Sequence, residues 1–201
     1  MHKWLIALVL GAVLSSSAWA QSAASVALDD QLSLADTVMV TVYPGSGKNQ
    51  LQLDVFVVNS DSVAGMPMPF RVVAEGAKLS FDSVSYEGGR TGYFQLKTQN
   101  ADTANQTVLL GLIADLSGSK PPLAPGRGKA LTVFYTADRP IKPEQVKVGP
   151  VILPPANKLE FNILRDGTVI GVRPTFVLKA SSAKAKPEPA ENMGKGSSGK
   201  G

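Results

Sequence analysis

The stretch "NSDSVAGMPMPFRV" (residues 59–72) decides the fold, because it joins a turn directly to a strand. Asn, Ser and Asp are typical turn residues, since their short polar side chains bond to the local backbone. Apolar residues then recur at every second position, the period of a strand with one buried face. We therefore expect a turn at 59–62, a close approach of the chain at Gly65, and core positions at Met68, Phe70 and Val72.

The same strand contains Pro67 and Pro69. Proline has no backbone N–H and cannot donate to a sheet ladder, so it is usually confined to edge or bulged strands. The pattern therefore predicts that 66–73 is an edge strand or a bulged strand.

Working outward, the chain alternates between short apolar segments and turn residues. The clearest segments are 37–43, 51–58, 107–114 and 129–136, and no window longer than ten residues keeps a helical apolar stripe. Many short strands with regular turns are typical of an all-β sandwich. We predict a jelly-roll or immunoglobulin-like β-sandwich of about nine strands.

Two segments carry more detailed expectations. The segment "TVLLGLIA" (107–114) is apolar on both faces, which predicts a central strand that is covered on both sides. The glycines of "EGGRT" (87–91) permit the positive φ angles of a tight connection. We therefore expect a hairpin there, with Tyr86 and Tyr93 as cross-strand neighbours.

The ends of the chain differ from this pattern. Residues 1–20 combine Lys3, a short apolar run and "AWA", which is typical of a secretory signal peptide cut between Ala20 and Gln21. Residues 21–34 read as a lead-in and 35–180 as the sandwich. Residues 181–201 are rich in Lys, Gly, Ser and Pro and predict a disordered tail. We expect a secreted protein, extracellular or periplasmic, with no membrane attachment after cleavage.

Composition excludes several kinds of function. The chain has no Cys and its one His is His2, so the mature protein lacks the side chains for Ser-His-Asp, Cys-His or zinc chemistry. Asp and Glu are scattered over turns and polar faces rather than paired, so we predict that it is not an enzyme. The chain carries 20 Lys and Arg against 16 Asp and Glu, with four of the lysines in the tail. A nearly neutral body indicates no nucleic-acid partner.

Calcium is the metal that stays open, because it takes oxygen ligands. The candidate ligands are Asn59, Asp61, Asn100 and Asp102. The alternative is that these are ordinary turn residues. We expect no other cofactor.

The strand pattern resembles a known family. The segment "DTVMVTVY…LQLDVFVVNSDSVAGMPMPFRV" is similar to the opening of a cohesin domain, "GRGKALTVFYT" (126–136) to its glycine-rich turn and following strand, and "FNILRDGTVIGVRPTFVL" (161–178) to its closing strands. The resemblance implies a sandwich that binds a dockerin module through one sheet face. The chain departs from the family at "VAEGAKL" (73–79), where cohesins often have a Tyr-Asp-Pro turn.

The resemblance also implies where a partner binds, since the family's partner face includes the third, fifth and sixth strands. Assigning these to 66–73, 93–98 and 107–114, alternation predicts that Phe94 and Leu96 point inward. The outer face would then carry Arg71, Tyr93, Gln95 and Lys97. We expect a non-catalytic module that binds a protein partner, dockerin-like or other, through this face.

The alternative function is a carbohydrate-binding module of the same fold that acts in polysaccharide binding or breakdown. Flat carbohydrate sites usually use aromatic side chains. The mature chain has no Trp, which leaves Tyr43, Tyr86, Tyr93 and Tyr135 as candidates.

Overall fold

The computed structural model describes residues 35–181. Eleven strands account for nearly all of its regular structure, so the all-β prediction is confirmed, with more strands than the nine or so expected. They are β1 (Thr37–Pro44), β2 (Gln50–Asn59), β3 (Val63–Ala74), β4 (Leu79–Ser85), β5 (Leu96–Asp102), β6 (Thr107–Ile113), β7 (Gly126–Ala137), β8 (Val146–Pro150), β9 (Phe161–Arg165), β10 (Thr168–Val172) and β11 (Thr175–Ala180). A 3₁₀ turn at Pro143–Gln145 precedes β8.

The strands form two packed sheets. Sheet 1 has the order β11-β1-β2-β7-β4. Sheet 2 has the order β10-β9-β3-β6-β5, and β8 pairs with one half of β3. Neighbours run antiparallel except β1 and β11, which are parallel.

The core lies between the sheets and follows the alternation of the strands, which is interrupted by register shifts between β2 and β7, β3 and β9, and β4 and β7. Side chains that are at most 2 % exposed come from sheet 1 (Val38, Val40, Leu51, Leu53, Val55) and from sheet 2 (Met66, Met68, Phe70, Leu110, Phe161). A period of two puts every second residue of each strand inside, so one apolar set per strand is enough to fill the sandwich.

The opening stretch behaves as predicted in its turn and in its core positions. Residues 60–62 form the turn, and Met68, Phe70 and Val72 are buried. Gly65 allows the close approach, because a Cβ there would lie 3.1 Å from the carbonyl oxygen of Leu112.

The prolines predicted an edge or a bulged strand, and β3 is not an edge strand, although its register with β9 shifts between Val63 and Gly65. β3 is central, with β6 on one side and β8 and β9 on the other. The missing N–H groups of Pro67 and Pro69 face the gap between β8 and β9, where no ladder bond is lost. Their carbonyl oxygens accept hydrogen bonds from loop residues there, Pro67 from Glu160 and Pro69 from Val151.

The prediction of a hairpin at 87–91 is wrong. The strand before it, β4, pairs with β7 in sheet 1, and the strand after it, β5, pairs with β6 in sheet 2. The connection therefore crosses from one sheet to the other. Tyr86 and Tyr93 are consequently not cross-strand neighbours.

The signal peptide, its cleavage site at Ala20 and Gln21, the lead-in and the tail from 182 lie outside the described residues. Within 35–181 no helix is long and apolar enough to span a membrane.

Candidate functional site

The outer side of β6 is the first unusual surface. Val108, Leu110 and Leu112 point into the core, whereas Leu109 and Ile113 lie on the opposite side and are only half-buried. The sequence predicted a strand covered on both sides. β6 is central in that it lies between two strands, β3 and β5, but none of the described strands packs over its outer side. Its second apolar row faces outward.

The register of sheet 2 extends this row across three strands. Ile113 lies between Gly65 and Leu96, Gly111 lies between Pro67 and Thr98, and Leu109 lies between Pro69 and Asn100. Directly paired residues of an antiparallel sheet share a face. We call the apolar members of this set the aliphatic face: Pro67, Leu96, Leu109 and Ile113, which are half-buried, and Pro69, which is buried beside them.

The next row along the sheet is polar. Arg71, Thr107 and Asp102 lie side by side at the end of the aliphatic face. An apolar centre with a polar border is the usual anatomy of a protein interface. Gly111 leaves no side chain at the centre of this face, and the hydroxyl of Thr98 lies only 2.5 Å from the place that a Cβ would take there.

The four residues predicted for the partner face do not lie together. Arg71 is exposed at one end of the outer side of sheet 2. Tyr93 and Gln95 precede β5 near the other end, where Gln95 N–H donates to Ala114. Gln95 precedes Leu96, which lies in the row of Gly65. Arg71 is six positions along β3 from Gly65, or about 20 Å at the usual rise of an extended strand.

Alternation in β5 is opposite to the prediction, because the strand begins only at Leu96 and the preceding residues form a turn. Leu96 shares the outer side with Ile113, and Lys97 shares the inner side with Leu112. The ammonium group of Lys97 lies 5.1 Å from the centre of the Tyr86 ring and donates to the carbonyl oxygen of Gly92 at 2.6 Å. Lys97 is therefore held against Tyr86 and Gly92 rather than on the outer side of sheet 2. Phe94 is buried, as predicted.

The other two residues of the predicted set have local partners. The side-chain oxygen of Gln95 accepts a hydrogen bond from Leu116 N–H at 2.7 Å. The Tyr93 ring packs edge-on against Phe94. The backbone carbonyl oxygen of Tyr93 accepts a hydrogen bond from the ammonium group of Lys120. Burial raises the pKa of Tyr93 despite the opposing effect of nearby Arg90.

The calcium candidates are accounted for by hydrogen bonds within the protein. Asn59 is buried and donates to the carbonyl oxygens of Asp61 and Ala124. Asp61 forms an ion pair with Arg165 at 2.7 Å. Asp102 accepts from two backbone N–H groups and from the side chain of Asn105, and these bonds lower its pKa.

Asn100, the fourth candidate, is exposed on the outer side of β5, next to Leu109. Among residues 35–181, no three His, Cys, Asp or Glu side chains come together as a metal site would require.

The described tyrosines do not form a row. Tyr135 is buried, Tyr86 lies under Lys97 and Tyr93 lies in the turn before β5. Tyr43 lies on the outer side of sheet 1, two strands from Phe134, with Gln52 between them, and both rings are half-buried.

The chain matches no family model and none of the curated proteins. Solved structures do match, and those of cohesin domains are prominent among them. The seventh type I cohesin of ScaB from Pseudobacteroides cellulosolvens aligns over 77 % of this chain and 97 % of its own, with a TM-score of 0.51 and 10 % identity. The sixth cohesin of scaffoldin B from Acetivibrio cellulolyticus, solved with a dockerin, aligns over 73 % and 99 %, with a TM-score of 0.51 and 10 % identity.

A third match is the OlpA cohesin from Clostridium thermocellum, solved in a type I cohesin–dockerin complex. It aligns over 73 % of this chain and 99 % of its own, with a TM-score of 0.51 and 8 % identity. The resemblance to cohesin domains is thereby confirmed at the level of the fold: residues 35–181 form a cohesin-like β-sandwich.

Proposed function

We propose that this protein is a non-catalytic interaction module that binds a protein partner through the aliphatic face of sheet 2. The observation that carries this proposal is a set of outward-facing apolar side chains on three adjacent strands, with a polar row at one end. Leu109 and Ile113 are only half-buried although leucine and isoleucine usually lie inside. Apolar patches of this kind on a folded surface mark interaction sites.

The shared fold supports the same class of function. Several of the matching cohesins were solved in complex with dockerins. By analogy, the partner we propose is a dockerin-like module, and this step rests on fold analogy rather than on the site. The leader-like segment before Gln21 supports a place of action outside the cytoplasm, in the periplasm or beyond the cell.

Sheet 1 has a less suitable outer side. Its central row holds Thr41, Asp54 and Thr132, all at most 7 % exposed. The carboxylate of Asp54 accepts hydrogen bonds from Gln52 and Thr132 at 3.0 and 2.8 Å. These polar groups are already satisfied, so a partner would gain little by contacting them.

Site-specific photo-crosslinking tests the proposal. A photoreactive amino acid replaces Asn100 on the outer side of sheet 2, and in a matched control it replaces Ser83, exposed on the outer side of sheet 1. Each protein is incubated with the periplasmic and extracellular fractions of the producing cells. We expect a discrete protein cross-link from position 100 and none from position 83.

Two results would overturn the proposal. One is equal cross-linking from both positions, which indicates non-specific contact. The other is no protein cross-link from position 100 together with retarded migration of the protein in gels containing polysaccharide. That outcome would favour the carbohydrate-binding alternative, and Tyr43→Ala would then be the variant to compare.

A further inference from the structure

The outer side of sheet 2 continues past the aliphatic face into a hollow on β8. Gly149 pairs directly with Arg71, and Lys147 pairs with Val73. Because Gly149 has no side chain, and no heavy atom lies within 4 Å of the place its Cβ would take, the surface sinks there. The hollow measures about 300 Å³ and is lined by Arg71, Val73, Lys147, Val148, Gly149, Pro150 and Val151.

The charge in this hollow is unbalanced. Lys147 already forms an ion pair with Glu75, and this contact lowers the pKa of the Glu75 carboxyl. Arg71, in contrast, has no carboxylate within ion-pair distance among residues 35–181, although Arg139 and Arg165 each have one. An exposed guanidinium beside an empty recess can take a carboxylate through two parallel hydrogen bonds.

The rest of the lining is aliphatic. Val73 and Val151 supply the apolar side chains, Val148 and Pro150 pair with the inward-facing Val72 and Phe70, and no aromatic ring is among the lining residues. Such a lining fits the methylene groups of an acidic side chain, whereas a sugar ring would ordinarily find an aromatic surface to stack on. The row Asp102–Thr107–Arg71–Gly149 also joins the hollow to the aliphatic face.

We infer that the hollow is a binding site for an Asp or Glu side chain of the protein partner, and that Arg71 is the residue that binds its carboxylate. This inference rests on the proposed function and adds to it the charge that the partner must present. The acidic residue lies beside the apolar segment of the partner that covers Leu109 and Ile113. Arg is one of the residue types that are enriched among the contacts contributing most to the affinity of protein interfaces.

A titration with short peptides tests the site without the natural partner. The probes are N-acetyl-Ala-Glu-Leu-amide and its Gln counterpart, and the readout is the backbone amide signal of Gly149 in ¹⁵N-labelled protein. We expect a saturable shift with the Glu peptide in the millimolar range and at least about tenfold weaker binding of the Gln peptide, as expected for a charge-assisted pair. Equal shifts with both peptides, or no shift at Gly149, would overturn the inference.

Three variants define the groups involved. Arg71→Gln removes the cation, and Gly149→Val puts a side chain into the recess, where no heavy atom lies within 4 Å of the Cβ position. Both should abolish the shift or weaken binding at least tenfold; for the variant at position 149 the shift is read at the backbone amide of Val148. Lys147→Gln removes the same charge from a lysine that is already paired, and it should change binding less than threefold. If Lys147→Gln abolishes binding while Arg71→Gln does not, the assignment to Arg71 is wrong.

Two further arms separate the remaining outcomes. Sodium glucuronate supplies a carboxylate on a sugar, and binding as tight as that of the Glu peptide would contradict the choice of a protein side chain. Once a partner is captured by cross-linking, its affinity for Arg71→Gln is measured as well. A partner that binds this variant as tightly as the wild type leaves the proposed function standing and overturns the inferred binding site in the hollow.

Discussion

Arg90 holds together the loop that links the two sheets. Its guanidinium donates to the side-chain oxygen of Asn59 and to the carbonyl oxygen of Gly126, both at 2.9 Å, and to that of Ala124 at 2.7 Å. Partial burial among these neutral acceptors lowers its pKa. Gly128 is required beside it, because a Cβ there would lie 2.8 Å from Cδ of Arg90.

We predict that Arg90→Met lowers the free energy of unfolding by about 2–3 kcal/mol, since it removes a charged donor from several acceptors at once. Arg90→Lys should recover only part of this loss, because a single ammonium cannot reproduce the fork. The control is Arg139→Met, whose exposed ion pair with Asp138 should contribute less than about 1 kcal/mol. Equal denaturation midpoints for Arg90→Met and Arg139→Met would contradict the role of Arg90.

Tyr135 gives a prediction on pH at the same scale. It is buried against Phe81, and burial raises its pKa. The unfolded chain loses this proton from about pH 10 upward, while the folded chain retains it. The contribution of Tyr135 to the free energy of unfolding is therefore fully present below about pH 10. It is lost above that pH, by up to about 1.4 kcal/mol per pH unit.

Tyr135→Phe removes this group's contribution. Urea unfolding at pH 7 should give similar midpoints for both proteins, and at pH 11 the variant should have the higher midpoint. Comparing the two proteins cancels the titration of lysines and of the other tyrosines. A pH-independent difference between them would show that Tyr135 does not titrate on unfolding.

At the scale of the strand, β6 has one side in the core and one half-buried outer side. We predict that Leu110→Ala lowers the free energy of unfolding by about 2–5 kcal/mol, because a buried cavity forms. Leu109→Ala on the same strand removes an identical side chain from the half-buried outer side, and should cost less than about 1.5 kcal/mol. Equal losses in chemical denaturation would mean that both sides of β6 are core.

Strand periodicity predicted most of the strands and the core residues of β3, because a period of two depends only on local sequence. It did not predict which strands are neighbours. Pro67 and Pro69 suggested an edge or a bulged strand, yet β3 is central, since the lost donors face a loop. A hairpin at 87–91 predicts that β5 begins at residue 93, whereas it begins at Leu96. The prediction therefore assigned Leu96 and Lys97 to the wrong sides of the sheet, because a register error of one residue reverses every side chain.

The sequence signal for the aliphatic face is the pair of apolar rows in 107–114, which also predicts a strand covered on both sides. A segment that is apolar on both sides, as 107–114 is, fits either a strand buried between two layers or a strand with an interaction surface. Local sequence cannot distinguish these cases, because the difference lies in what packs over Leu109 and Ile113. Arg71 was found correctly as an outward-facing residue, since its strand was placed in the right register.

At the scale of the whole molecule, β11 (Thr175–Ala180) is tied to both sheets of the described fold. It pairs in parallel with β1, and the N–H group of Ser181 donates a hydrogen bond to the carbonyl oxygen of Val42 at 2.9 Å. The Phe176 ring also lies 5.8 Å from that of Phe70 in the opposite sheet. The last strand therefore contributes both ladder bonds and core contacts.

We predict that deleting residues 182–201 changes the melting temperature by less than about 2 °C, since these residues have few apolar side chains to bury. Deleting residues 175–201 removes β11 and should lower it by more than about 10 °C or prevent folding, a loss of several kcal/mol. Thermal unfolding monitored by circular dichroism measures both. A large loss from the shorter deletion would place part of the tail in the folded domain.

The central claim is that the aliphatic face of sheet 2 binds a protein partner, and the affinity of one pair of variants tests it most directly. Ile113→Arg and Met39→Arg put the same charge at a half-buried position on the outer side of sheet 2 and of sheet 1, respectively. Both variants are first checked for native stability, and their dissociation constants for the cross-linked partner are then measured by calorimetry. We predict that Ile113→Arg weakens binding at least about 100-fold, the effect of losing a central interface contact, and that Met39→Arg weakens it less than threefold. Unchanged affinity for Ile113→Arg, or a larger loss for Met39→Arg, would contradict the claim.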